Sequence, residues 1–155
     1  MNEFMDVAID LSNDNFDKKY GGPFGACIVK DGKIIGKGFN RVIKDIDPTA
    51  HAEIVAIREA CKNTNSHDLS GCELYTSCYP CPMCLSAIIW SNIKKVYYAN
   101  TKEDAASIGF RDDYIYDYIK SNMEDKNILE LKELNREEAI KVFEKYMDNM
   151  DKIEY

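Results

Sequence analysis

Residues 24–40 read FGACIVKDGKIIGKGFN, and this stretch sets the fold class. Two β-rich runs, FGACIVK and KIIGKGFN, flank Asp31-Gly32. Asp-Gly between such runs predicts a hairpin, because both residues accept positive φ at little cost. Upstream, Phe4, Val7, Ala8 and Leu11 recur at helical spacing over residues 3–13, and Gly21-Gly22-Pro23 then breaks the chain. Downstream, DPTAHAEIVAIREACK (47–62) predicts a helix with Asp47 as cap, Pro48 in the first turn and an apolar stripe of Ile54, Ile57 and Cys61. ELYTS (73–77) reads as a short strand. Pro82 opens a helix through Trp90, and KKVYYAN (94–100) reads as a strand buried on both faces at its centre. A hairpin followed by alternating helix and strand implies a mixed α/β sheet covered by helices. Helical signals return at 101–107 and 112–121. ILELKEL (128–134) reads as a strand or an extended connector, and Ala139, Ile140, Val142, Phe143 and Met147 mark a last helix before the tail DKIEY.

The chain has 155 residues, which suits a single domain over 1–155. No apolar stretch is long enough to span a bilayer, and the acidic start MNEFMDVAIDL does not read as a secretory signal, so a cytoplasmic location is expected. The formal net charge of −7 disfavours long nucleic acid and favours a small neutral ligand. Lys18-Lys19 and Lys94-Lys95 read as solvated faces. Six cysteines without a signal peptide point to metal or redox chemistry, with Cys27 and Cys61 as small buried residues.

The chemistry concentrates in two segments, His51-Ala52-Glu53 and Pro80-Cys81-Pro82-Met83-Cys84. Cysteines three apart on a helix share a face, so both sulfurs can reach one ion. Each segment stands at a helix start, where unpaired N–H groups and the macrodipole favour thiolate. One nitrogen and two sulfurs leave a fourth position open, as catalytic zinc requires. A zinc-activated water has a pKa of about 7, and a carboxylate must then move its proton. Glu53 lies two residues from the histidine, close enough to serve without ligating. The combination H-x-E with P-C-x-x-C is the signature of zinc nucleobase deaminases. The competing reading is a closed structural knot with Cys78 as fourth ligand, in which an acid beside the histidine has no role.

On GGPFGACIVKDGKIIGKGFN, DPTAHAEIVAIREAC, LYTSCYPCPMCLSAIIW, IGFRDDYIY and the closing EY, the sequence resembles the cytidine deaminase superfamily and, within it, the bacterial guanine deaminases. The middle runs are shared with tRNA adenosine deaminases; IGFRDDYIY and the terminal tyrosine are the more specific ones. The resemblance implies a three-layer α/β/α sandwich on a central five-stranded mixed sheet. It also implies a homodimer that exchanges the C-terminal segment, about 128–155. It implies one Zn2+ per subunit on His51, Cys81 and Cys84, with Glu53 and Asp112 catalytic. Phe24, Asn40, Ala52, Trp90 and Tyr155 would bind the substrate, Tyr155 closing the pocket. The expected reaction is hydrolysis of guanine to xanthine and ammonia. Alternatives are another base or nucleoside such as guanosine or cytosine, a tRNA adenosine deaminase, and a non-catalytic zinc module. Tyr79 departs from the family, which usually has glutamate before the Pro-Cys pair, and Arg111 is unusual beside Asp112.

Overall fold

The hairpin forms in the computed structural model, which describes residues 2–151 and 153–154. Strands β1 (Gly25–Lys30) and β2 (Lys33–Phe39) pair antiparallel, and Asp31 and Gly32 between them have φ of 49° and 72°. Helix α1 (Glu3–Lys18) precedes them, capped by the Asn2 side chain, and runs past the residues whose periodicity announced it. After β2 come a single turn, α2 (Val42–Asp45), and helix α3 (Ala52–Thr64). Strand β3 (Glu73–Cys78), helix α4 (Pro82–Trp90) and strand β4 (Lys95–Asn100) follow, then α5 (Lys102–Ser107), α6 (Asp113–Lys120) and α7 (Arg136–Asp148).

The sheet order is β2-β1-β3-β4, with β1 antiparallel to both neighbours and β3 parallel to β4. Strand β1 is buried on both faces and divides the core. Ala26 and Ile28 pack with Ala52, Ala56 and Ala60 of α3 and Ile88 of α4, while Cys27 and Val29 pack with Tyr75, Phe4 and Val7. Helix α1 thus covers one face and α3 with α4 the other, giving three layers. Helix α3 lies against the backbone of β2: a Cβ on Gly38 would overlap the Ala52 carbonyl and crowd the Ala56 nitrogen. This close approach anchors the start of α3, where the chemistry sits.

Three expectations need correction. The described residues hold four strands, not five, because 129–135 has no regular structure and its own unit offers no strand to pair with. Strand β4 is not buried on both faces: it is a sheet edge, with Tyr97 and Tyr98 43% and 49% exposed. Helix α3 starts at Ala52 rather than near Pro48, because Asp47 is spent on a local turn, accepting from the Thr49 N–H and hydroxyl at 2.8 and 2.7 Å. The described chain also clusters into two units, divided between Tyr116 and Asp117. In the second unit the Tyr118 hydroxyl donates to the Leu129 carbonyl at 3.1 Å, and no residue of α7 is buried.

Candidate active site

Two helix starts supply the donor set. His51 is the N-cap of α3 and Cys81 the N-cap of α4, with Pro82 at N1 and Cys84 on the first turn. Neither N-cap side chain bonds its own helix, which leaves imidazole and sulfur to face each other. His51 Nδ1 lies 3.5 Å from Cys81 Sγ and 3.6 Å from Cys84 Sγ. All three donor atoms fall within 4.8 Å of one another. Zinc–sulfur and zinc–nitrogen bonds of about 2.3 and 2.0 Å at tetrahedral angles require N···S edges of about 3.5 Å. The donors already stand at that spacing, so the residues fit zinc in geometry and in chemical type.

Their electrostatics fit as well. The Cys81 thiol is lowered to about 4, first by the hydrogen bond from Cys84 and then by His51. Cys84, donating to Cys81 and buried, is pushed far up. A thiol lowered in this way favours binding a cation as thiolate. His51 is raised by its bond to Cys81.

Glu53 lies in the first turn of α3, 6% exposed, and does not belong to the donor set. Burial raises its carboxyl above the ordinary range. The Thr76 hydroxyl donates to Oε1 at 3.3 Å, and Cys84 Sγ lies 3.5 Å from Oε2. A cavity of about 680 Å³ opens onto Phe24, Asn40, His51, Glu53, Cys81 and Asp112. Asp112 is raised by burial and by the Cys81 charge. Phe24 meets Phe110 edge-on at 5.0 Å.

The structure brings most of the expected residues together, but not all. Ala52 is fully buried and does not line the cavity. Trp90 is also absent from the lining and 72% exposed, because it ends α4, whose axis carries it about 13 Å beyond Cys81. Tyr155 lies outside the described residues. Cys78 ends β3 and lines the cavity, and it stands outside the metal-donor group found among the described residues. Tyr79 is on the cavity wall, edge-on to Tyr98 at 5.0 Å.

Thr76 escaped the sequence reading, although a hydroxyl within a buried strand was its signal. Tyr116 escaped it too. Its hydroxyl donates to the Pro80 carbonyl at 3.1 Å and so steadies the approach to Cys81, a contact between residues 36 apart that no local pattern reveals.

A mixed sheet with His/Cys/Cys donors at two helix starts and a buried carboxyl on the cavity wall is the arrangement of the zinc-binding deaminases. The chain belongs to the cytidine and deoxycytidylate deaminase family, whose zinc-binding region matches residues 1–100. It is 50% identical to the guanine deaminase of Bacillus subtilis (strain 168) over 125 residues, 81% of this chain and 80% of that protein. The X-ray structure of guanine deaminase from Bacillus subtilis superposes with a TM-score of 0.94 at 44% identity, covering 100% of this chain and 99% of the other. A tRNA-specific adenosine deaminase of Aquifex aeolicus is 47% identical over 96 residues, 62% of this chain and 63% of its own.

Proposed function

We propose that this chain deaminates guanine, releasing xanthine and ammonia, with one zinc ion per subunit. The observation that carries the reading is the buried Glu53 carboxyl beside the donor set, in a chain half identical to a guanine deaminase. His51, Cys81 and Cys84 would hold the ion. When bound, zinc supplies a Lewis acid that makes water nucleophilic near neutral pH.

The protein's own groups do the rest. Glu53 takes one proton of the attacking water and passes it to N3 of the purine, then takes the second from the new C2 hydroxyl and delivers it to the departing amine, which leaves as ammonia. A carboxyl raised by burial holds and releases a proton nearer neutrality than an exposed one. Asp112, raised in the same direction, assists the leaving amine. Phe24 packs against the base. Asn40 Oδ1 accepts from the Val42 N–H at 3.1 Å, which identifies Nδ2 as the donor offered to a purine acceptor.

The working form in this reading is a cytoplasmic homodimer that exchanges residues of about 128–155. Strand β4 leaves an aromatic edge exposed, and α7 leaves Phe143 and Met147 70% and 67% exposed; such surfaces call for a cover. All six cysteines are free thiols, which suits a reducing compartment, and no helix among the described residues is long and apolar enough to cross a membrane. Light scattering on the purified protein should give twice the chain mass. Substrate choice is tested by ammonia release from guanine, guanosine, adenine, cytosine and a tRNA anticodon stem-loop. Release from guanine is expected, and release from the tRNA alone would overturn the assignment.

A further inference from the structure

The apolar stripe of α1 does not end at Leu11. Its next position is Asn15, which is 1% exposed. A polar side chain in that place needs partners: its amide nitrogen has two, and its Oδ1 has none among the described residues. Asn15 Nδ2 donates to the Gly22 carbonyl at 2.7 Å and to the Asn40 carbonyl at 2.9 Å. One turn earlier, the Ser12 hydroxyl donates to the Pro23 carbonyl at 2.6 Å. Gly22, Pro23 and Asn40 all line the cavity, whereas Asn15 and Ser12 do not. Helix α1 therefore holds the glycine loop and the residue after β2 together from outside the cavity.

Asn40 is fixed at both of its polar ends. Asn15 holds its backbone carbonyl, and the Val42 N–H holds its side-chain oxygen. Gly21 closes the remaining side: a Cβ there would overlap Asn40 Oδ1. The side-chain amide has one orientation, and its nitrogen is the donor left for a ligand. Two carbonyl acceptors converge on Asn15, so only a side chain bearing an N–H2 at that point serves both. A carboxylate would face two carbonyl oxygens, and a hydrocarbon would leave the Asn40 carbonyl unserved and the Gly22 carbonyl with the Phe24 N–H alone.

We propose that Asn15 is a positioning residue for the substrate: it tethers Asn40 and so holds the amide that meets the purine. The proposal rests on the reading of Asn40 as a substrate contact.

The test is a double-mutant cycle on the full-length zinc enzyme. Asn15→Leu keeps the volume and removes both donors. Asn40→Ala removes the group being positioned, and the double variant closes the cycle. Zinc content and melting temperature are measured beside kcat and KM for guanine. Misplacing a binding group by an ångström or less is expected to raise KM about tenfold or more in Asn15→Leu, with kcat within about threefold and zinc retained. In the Asn40→Ala background the same substitution should change KM by less than about twofold, because the positioned group is gone. A purely structural role for Asn15 would multiply KM equally in both backgrounds, and that result overturns the proposal. So does an unchanged KM in Asn15→Leu alone. Should Asn40→Ala itself leave KM unaltered, the reading of Asn40 fails, and the proposal falls with it for a different reason. Asn15→Ala, which admits water to the two carbonyls, carries the same cycle if the leucine variant does not fold.

Discussion

Replacing Thr76 by valine should move the pH dependence of the reaction without touching the metal site. Thr76 is 1% exposed in β3, and valine keeps its β-branched shape, so the strand has no reason to repack. What is lost is one hydroxyl, 3.3 Å from Glu53 Oε1. A hydrogen bond to a charged group contributes about 1.5–3 kcal/mol, and this separation is longer than the ~2.7 Å usual for O–H···O, so the lower figure applies. About 1.4 kcal/mol corresponds to one pH unit. The hydroxyl donates, so it favours the ionised carboxylate; removing it raises a carboxyl that burial already holds high. Zinc pulls the other way in both proteins and cancels from the comparison. Glu53 must be ionised to accept the water proton. The acid limb of kcat/KM should therefore move about one unit toward higher pH, with an activity loss of about tenfold below it and an unchanged plateau. Ammonia release from guanine across about pH 5–9, with zinc content checked at each end, measures this. An acid limb that stays in place while zinc and melting temperature are retained would refute the role of Thr76. A uniform loss across the profile would point to displaced geometry instead.

Other outcomes follow from the same site and core. Glu53→Gln should keep its zinc and lose at least ~10²-fold in kcat, as removal of a general acid–base does; full turnover with zinc bound would contradict the role given to Glu53. Chelated at pH 7, the protein should be alkylated first at Cys81, whose thiol at about 4 is ionised and partly exposed, and later at Cys84 or Cys27. Peptide mapping after a brief iodoacetamide pulse decides the order, and Cys84 labelled first would reverse the electrostatic assignment. Cys27 is fully buried, donates to the Phe4 carbonyl at 3.3 Å and is pushed up to about 11 from an ordinary 9.0. Its folded value lies above its unfolded one. Its contribution is thus complete below pH 9 and lost as pH rises through 11, at about 1.4 kcal/mol per unit and up to about 3 kcal/mol. Urea unfolding of the wild type and Cys27→Ala should converge over that interval, and a constant gap would refute it.

The reactive constellation could be read from the sequence because its residues are local. His51 and Glu53 are two apart, Cys81 and Cys84 one turn apart, and Pro82 marks the helix start between them. Short-range geometry confines such groups to one face whatever the rest of the chain does. The hairpin at Asp31-Gly32 was legible for the same reason: its turn is decided by the φ preferences of its own residues. The edge position of β4 depends on which strands flank it, so KKVYYAN could not reveal that its tyrosines are exposed. Asp47 was misread as a helix cap because its side chain had a nearer partner in Thr49. Trp90 was misplaced because the length of α4, not the resemblance around it, sets how far it stands from Cys81. Thr76 reaches Glu53 across 23 residues and Asn15 reaches Asn40 across 25, and those bonds exist only once the sheet has stacked its helices. The grouping of His51, Cys81 and Cys84 beside Glu53 was legible in the chain alone, since local spacing dictates it. What meets the Glu53 carboxyl and what holds Asn40 came only with the folded chain, since both depend on contacts between distant segments.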